Sequence, residues 1–432
     1  MTTADAVTVP AAVLKSALEL YLGLHMAPEL SGAEERTAER FADWLAADGY
    51  AVTRGIGGHG VAAVLRRGPG PTVLLRAELD ALPVTEETGL RYASRVPGAM
   101  HACGHDLHLA ALAGAARLLA RESAPGAGGT IVVVGQPAEE TLDGARAMLR
   151  DGLYERFGTP DAVLAQHTAT LPAGSVAHGL GPLLAGSVAV DAVLHGTGGH
   201  AGAPHLTVDP VVAAAAAVLR LQGVVSRETP PAEQAVLTVG RLRAGERSNV
   251  VPDHAELGIS LRAFGEAALK RMEAAVRRVV TAESEASGCP RPPRFEVVSH
   301  APPLVADAAL TEEVRAAHLA AFGTGRVTRW APAAATEDFG WFGPAGAGLH
   351  GGSGIRLGYW MLGTVGAARL RAAAQAADGT GAGASVPGNH SPAFAPEVRT
   401  ALPAGIVAMA SAARRVLGGG QIQPRSRASS AA

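Results

Sequence analysis

The chain has 432 residues, 48% apolar and only 4% aromatic, so it can bury more than one core and must build them from Ala, Val and Leu. A formal charge of −2 excludes the electrostatic footprint of a nucleic-acid or anionic-membrane binder. Two cysteines, Cys103 and Cys289, exclude a disulfide framework, and residues 1–10 show no basic or apolar secretory region, so a soluble, reduced, cytoplasmic protein is expected.

Apolar periodicity places a first amphipathic helix at about 11–24. A second starts at Ser31, where Ser31 and Glu34 have capping-box spacing, and stops at Gly49. Strands at 61–65 and 72–77 follow, the second running into Glu78-Leu79-Asp80-Ala81-Leu82-Pro83. A helix is expected over 109–120, and a buried strand over 130–135 ends in Gln136-Pro137-Ala138-Glu139-Glu140. A helix near 143–150 and a strand over 162–166, ending at His167, come next. Strands alternating with helices predict an α/β fold with a mostly parallel sheet, whose sites lie just beyond the strand C-termini. Asp80, the Glu139-Glu140 pair and His167 each sit at such an end, on three different strands.

From Ser187 the rhythm changes. Strand 187–194, helix 210–222 with Asp209 as cap, strands 235–242 and 255–263, helix 266–286 and strand 294–298 make a βαββαβ, ferredoxin-like module. The Ala-rich run 211–221 is too short to span a bilayer. Helix 311–322, the segment Glu337-Asp338-Phe339, strand 359–365 and His390 then resume the catalytic type of element. The simplest architecture is a discontinuous catalytic domain, 1–185 and 300–417, with the module 186–299 inserted. Residues 366–383 read as a weakly specified Ala/Gly-rich connection, and 418–432 as a disordered tail.

The densest chemistry lies in Met100-His101-Ala102-Cys103-Gly104-His105-Asp106-Leu107-His108. Imidazoles and carboxylates are costly to bury unless paired, and thiolate with imidazole suits zinc or a similar borderline metal. Gly104 lets the backbone bend tightly between Cys103 and His105. Alone, such a Cys-x-His is more often core packing than a metal site, so the reading rests on the rest of the chain.

As a set, Arg76 to Pro83, His101 to His108, Gln136 to Glu140, Gly198-Gly199-His200, Ser248-Asn249-Val250-Val251-Pro252, Glu337-Asp338-Phe339 and His390-Ser391-Pro392 resemble the metallo-aminoacylase and carboxypeptidase superfamily. The branch is that of hippurate hydrolases, N-acyl-amino-acid deacylases and auxin-conjugate hydrolases. The resemblance implies a centre of two divalent ions (zinc, manganese, cobalt or nickel). Cys103 would bridge both ions, with His105 and His167 completing one site and Glu140 and His390 the other. It assigns the general base that activates a metal-bridging water to Glu139. It assigns the oxyanion-polarising group to His200, supplied by the inserted lid and dimerisation domain and often from the other subunit of a homodimer. Asp80 matches the aspartate that orients a metal-binding histidine, and Asp106 has a similar claim or simply caps a helix. His101 and His108 read as supporting residues. Asn249 and Arg262 are candidate contacts to substrate, though Arg262 is as well explained as an exposed strand residue.

Adjacent carboxylates divide the labour such a centre needs, one on metal and one on water. Two features depart from the family's pattern: Thr168-Ala169-Thr170 after His167, and the long Gly-rich stretch 346–358, in which His350 competes weakly as a ligand. The expected activity is hydrolysis of the amide of an N-acyl amino acid or similar small conjugate. A dipeptidase using the same centre, and a non-catalytic metal-stabilised binding protein, stand as the alternatives.

Overall fold

The structure is a computed structural model that describes residues 9–122, 128–377 and 386–418. The tail expected to be disordered lies almost wholly outside them. An eight-stranded sheet carries the catalytic part, in the spatial order Ala51–Ile56, Gly60–Arg66, Thr130–Gln136, Thr72–Glu78, Ala162–Pro172, Arg356–Val365, Val176–His178, Val327–Arg329. Its four central strands, Thr130–Gln136 through Arg356–Val365, are mutually parallel. Gly60–Arg66 on one side and Val176–His178 on the other join antiparallel, so the sheet is mixed at its margins. The central strands are buried along almost their whole length, as expected of Val- and Leu-rich strands covered on both faces.

One face is covered by helices Ala11–His25, Glu35–Ala47, His105–Arg121, Ala308–Phe322 and Val398–Gly418, whose buried residues form one large core with the sheet. The second helix starts at Glu35 and not at Ser31. The Ser31 hydroxyl donates to Asp80 Oδ2 at 2.7 Å, and Glu34 Oε1 accepts from Gly32 and Ala138 N–H groups, so neither side chain is left to cap. Helix His105–Arg121 begins four residues earlier than the periodicity suggests. Gly104, at φ 85°, makes the turn into it, and a Cβ there would meet Thr168 Cγ2 at 2.7 Å. The stretch 366–383 contains a helix, Ala367–Ala377, before it leaves the described residues.

Strands Gly186–His195, Ala235–Ala244, His254–Ala263 and Arg294–Ala301 form a separate antiparallel sheet. It packs with helices Pro210–Glu228 and Glu266–Ala286 around its own core. In the helix Pro210–Glu228, Asp209 caps by accepting from Val211 N–H. By length and composition this helix is apolar enough to cross a bilayer, beyond what the run 211–221 suggested. Its residues Ala213, Ala214, Ala217, Leu221 and Val224 are instead buried against the module's sheet.

Candidate metal centre

The parallel strands deliver the site. Strand Thr72–Glu78 ends two residues before Asp80, strand Thr130–Gln136 ends three residues before Glu139, and His167 lies within strand Ala162–Pro172, opposite Met361 of the neighbouring strand. His167 is thus inside a strand that runs five residues past the expected end. Cys103 and His105 flank Gly104 at the start of a helix, and His390 sits in a turn at φ 68°.

These side chains converge. Ligand atoms of Cys103, His105 and His167 lie within 4.8 Å of one another, and so do those of Cys103, Glu140 and His390. Cys103 Sγ is 3.4 Å from His167 Nε2, and Glu140 Oε2 is 3.5 Å from His390 Nε2. His105 bonds through Nδ1 to the Asp80 carbonyl at 2.9 Å and to Asp80 Oδ1 at 3.1 Å, which turns Nε2 toward the cluster. Asp80 Oδ2 accepts from Glu140 N–H at 2.9 Å, so one carboxylate fixes both segments. His167 Nδ1 faces its neighbour's carbonyl, Thr168 O, at 2.9 Å, leaving Nε2 as the acceptor nitrogen beside the thiol.

Two of these atoms, His105 Nε2 and Glu140 Oε1, are buried and have no hydrogen-bond partner among the described residues. They face each other at 3.8 Å. Buried polar atoms are rarely left so, and a thiol, imidazoles and a carboxylate are the donor set of a borderline divalent metal. The residues therefore fit the implied ions. Burial alone would raise the Cys103 thiol, but His167 and His105 hold it well below the usual thiol range. Burial would lower His167, yet the thiolate pushes it up to about 9. Hydrogen bonds to Cys103 and Glu140 push His390 up to about 10.

Glu139 stands beside the cluster, its Oε2 3.7 Å from His105 Nε2. Burial first, then the charges of Glu337 and Glu140, push its carboxyl well above the ordinary range. Sequence reasoning gave no role to the network behind it. Arg76, fully buried, donates to Glu337 at 2.8 Å, to Asp338 at 3.1 Å, to Gln136 at 2.8 Å and to Glu78. Tyr359 adds a hydrogen bond to Glu337 at 3.1 Å. The signal was present as Arg76 and Glu78 in an otherwise apolar strand, where neither could be buried alone.

His108 accepts from Thr168 N–H at Nε2 and faces Glu78 from Nδ1 at 2.8 Å, so both nitrogens are committed away from the cluster. Asp106 pairs with His25 at 2.7 Å and also accepts from Leu107 N–H. His101 is buried, and burial pushes it down to about 4. His350 faces Gly343 O and accepts from Gly352 N–H, which removes it as a competing ligand. The structure does not bring His200, Asn249 or Arg262 to the cluster. All three belong to the module with its own core. His200 and Asn249 are exposed neighbours, joined by strand pairing of His200 with Val250 and by Ala201 N–H donating to Asn249 O. Arg262 donates to the Ala334 carbonyl at 2.6 Å.

A parallel-centred sheet thus bears, at its strand ends, a cluster able to hold divalent metal. The chain belongs to peptidase family M20/M25/M40, whose profile matches residues 74–360. It is 38% identical over 267 residues to the IAA-amino acid hydrolase ILR1-like 2 of Arabidopsis thaliana, covering 62% of this chain and 60% of that one. It is 37% identical over 322 residues to the N-acetyl-L-cysteine deacetylase of Bacillus subtilis, covering 74% and 75% of the two chains. The crystal structure of Bacillus subtilis YxeP, described as a dinuclear metal-binding peptidase of family M20, superposes with a TM-score of 0.73 at 28% identity, over 94% of this chain and 99% of that one.

Proposed function

We propose that the chain hydrolyses the amide of N-acyl amino acids or similar small conjugates. The observation that carries this is the sharing of Cys103 between two ligand groups, Cys103–His105–His167 and Cys103–Glu140–His390, with Glu139 beside them. Two divalent ions would be held there, one by His105 and His167 and the other by Glu140 and His390, with Cys103 available to both. When bound, the ions act as Lewis acids that acidify water and polarise the scissile carbonyl. Glu139 accepts the proton of the attacking water as the C–O bond forms. It then delivers that proton to the amine nitrogen as the C–N bond breaks. Asp80 holds the His105 ring and the Glu140 backbone at their stations.

In this reading the module 186–299 is a lid that brings His200 to the oxyanion, with Asn249 beside it, while Arg262 exchanges its Ala334 contact for a substrate carboxylate. His200 is supplied either by closure of the module over its own chain's site or by the second copy in a homodimer. The module leaves Val212 and Leu219 exposed on helix Pro210–Glu228, and Val236 and Leu242 exposed on the sheet's edge strand Ala235–Ala244. Such exposed apolar residues and an unpaired strand edge support a symmetric contact between copies. Free Cys103 and Cys289 suit a reducing, cytoplasmic setting.

The test is chelation followed by add-back of zinc, manganese, cobalt or nickel. It is scored by elemental analysis and by turnover of acetyl-, benzoyl- and indole-acyl amino acids beside dipeptides. The proposal expects activity to vanish without metal and to return with two ions per chain on an acyl amino acid. Full activity in metal-free protein overturns the mechanism, and preference for dipeptides overturns the substrate class.

A further inference from the structure

Between the candidate ligands Cys103 and His390 stands a side chain that the mechanism leaves unused. The Asn389 amide nitrogen reaches three acceptors: Thr168 Oγ1 at 3.1 Å, the Cys103 carbonyl at 3.2 Å and Cys103 Sγ at 3.5 Å. The Thr168 hydroxyl donates its only hydrogen to the Cys103 carbonyl at 2.8 Å, so toward Asn389 it can only accept. That fixes the orientation of the amide. Turned over, its oxygen would face a carbonyl and a sulfur that are themselves acceptors.

The backbone continues the clamp. His390 N–H donates to the Ala102 carbonyl at 2.8 Å, and Ser391 N–H to the Gly388 carbonyl at 3.2 Å. His390 needs such a hold. Its φ of 68° lies in the left-handed region, which persists for a non-glycine residue only where the surroundings over-determine it. Packing cannot supply that hold, because the His390 side chain is 56% exposed.

We propose that Asn389 is a positioning residue for the metal centre, oriented by Thr168. Its amide pins the strained His390 turn to the Cys103 loop and donates an N–H hydrogen bond to the Cys103 sulfur. The inference rests on the metal-centre reading above. Hydrogen bonds around a metal-bound sulfur tune the metal through the sulfur's electron density, and loss of such supporting contacts typically weakens metal binding about 10–100-fold. The polar residue after His167, a departure from the family's pattern, thereby acquires a purpose. An apolar side chain at position 168 would leave Asn389 only the Cys103 carbonyl and sulfur as acceptors, with nothing to fix its orientation from the far side.

The experiment loads the full chain with cobalt(II) and records the sulfur-to-cobalt charge-transfer band together with binding isotherms for both ions. Asn389→Leu keeps the volume and removes both N–H donors. Thr168→Val leaves Asn389 in place and removes the group that orients it. Circular dichroism of the metal-free proteins checks folding, and Thr168→Val carries the test alone should Asn389→Leu not fold. The expected result is a shift of the band to longer wavelength, larger for Asn389→Leu, with the second ion bound about 10–100-fold more weakly. Absence of a sulfur-to-cobalt band in the unsubstituted protein overturns the metal-centre reading itself. A band that is present there but unmoved in the folded variants overturns the role of Asn389.

Discussion

The Arg76 guanidinium and the Glu337 carboxylate, 261 residues apart in the chain, pair at 2.8 Å in the buried interior. The pair ties strand Thr72–Glu78 to the turn Asp338–Phe342, and so joins the two stretches of chain on either side of the inserted module. Arg76 pairs here with three buried carboxyl groups, Glu78, Glu337 and Asp338. Ligand oxygens of Glu337 and Asp338 also lie within 4.8 Å of one of Glu139. Three carboxyl groups could suggest a further cation there, but the guanidinium already occupies that role.

Removing the cation should therefore cost stability before it costs chemistry. Arg76→Met leaves buried carboxylates without a counter-charge, and breaking a buried pair in this way typically costs about 3–5 kcal/mol. Arg76→Lys should recover only part of that loss, because an ammonium cannot fork to Glu337, Asp338 and Gln136 together. Urea unfolding midpoints measure both. A midpoint unchanged in Arg76→Met would show that the network does not hold the two stretches together.

The pair Glu139 and Glu140 separates base from ligand. Glu139→Gln keeps shape and both metals but cannot take the water's proton, so kcat should fall about 10²- to 10⁴-fold with KM little changed. Glu140→Gln exchanges an anionic ligand for a neutral amide, so the second ion should bind more weakly and activity should recover partly at high metal concentration. Metal stoichiometry and steady-state kinetics on both variants decide it. Metal loss in Glu139→Gln with retention in Glu140→Gln would reverse the assignment.

Much of this site was legible because the Cys103, His105, Glu139, Glu140 and His167 segments carry costly residue types at strand ends or beside a glycine. A one-dimensional reading sees that directly. Arg76 was legible only as an oddity, since its partners Glu337 and Asp338 arrive from the far side of the inserted module. Ser31 and Glu34 had the spacing of a cap, but Asp80 and Ala138 recruited them, and no local rule carries that information. The long helix Val398–Gly418 escaped the reading altogether. It is buried nearly all round, so it lacks an amphipathic stripe, and Pro403 within it reads as a stop.

A second histidine cluster lies outside the candidate metal centre and should make folding sensitive to acid. His178 donates from Nε2 to His318 Nδ1 at 2.9 Å, and His318 Nε2 donates to the Ala408 carbonyl at 3.0 Å, all within the core. Burial, with His318 and Arg315 adding, pushes His178 down to about 3, and burial pushes His318 down to about 4. A histidine whose folded value is depressed contributes fully above its unfolded value near 6.5. Below that, the unfolded chain binds protons that the native core refuses. Stability should therefore fall as pH drops from 6.5 toward 4, by at most about 1.4 kcal/mol per pH unit for each ring. His318→Gln, which keeps a donor and an acceptor, should show a shallower fall in urea midpoint over that window. An identical slope in the variant would assign the acid sensitivity to other groups.

The last prediction concerns His200, which within one chain is exposed and joined to Asn249 rather than to the cluster. If it serves the oxyanion, His200→Ala should lower kcat about 10²- to 10³-fold, the usual loss when one such donor goes. Metal content should not change, because nothing in the cluster touches it. Glu139→Gln should also lose most of its activity, for an unrelated reason, the loss of the base. If His200 acts across a homodimer, a mixed dimer of the two variants contains one intact site, with Glu139 from one chain and His200 from the other. Statistical mixing puts half of the dimers in that hybrid form, each with one working site of two, so about a quarter of the unsubstituted activity should return. Subunit exchange has to be shown independently, for instance with differently tagged chains. Exchange without recovery would mean that His200 reaches the site of its own chain by closure of the module, or that it has no part in catalysis. Unchanged kcat in His200→Ala alone would select the second.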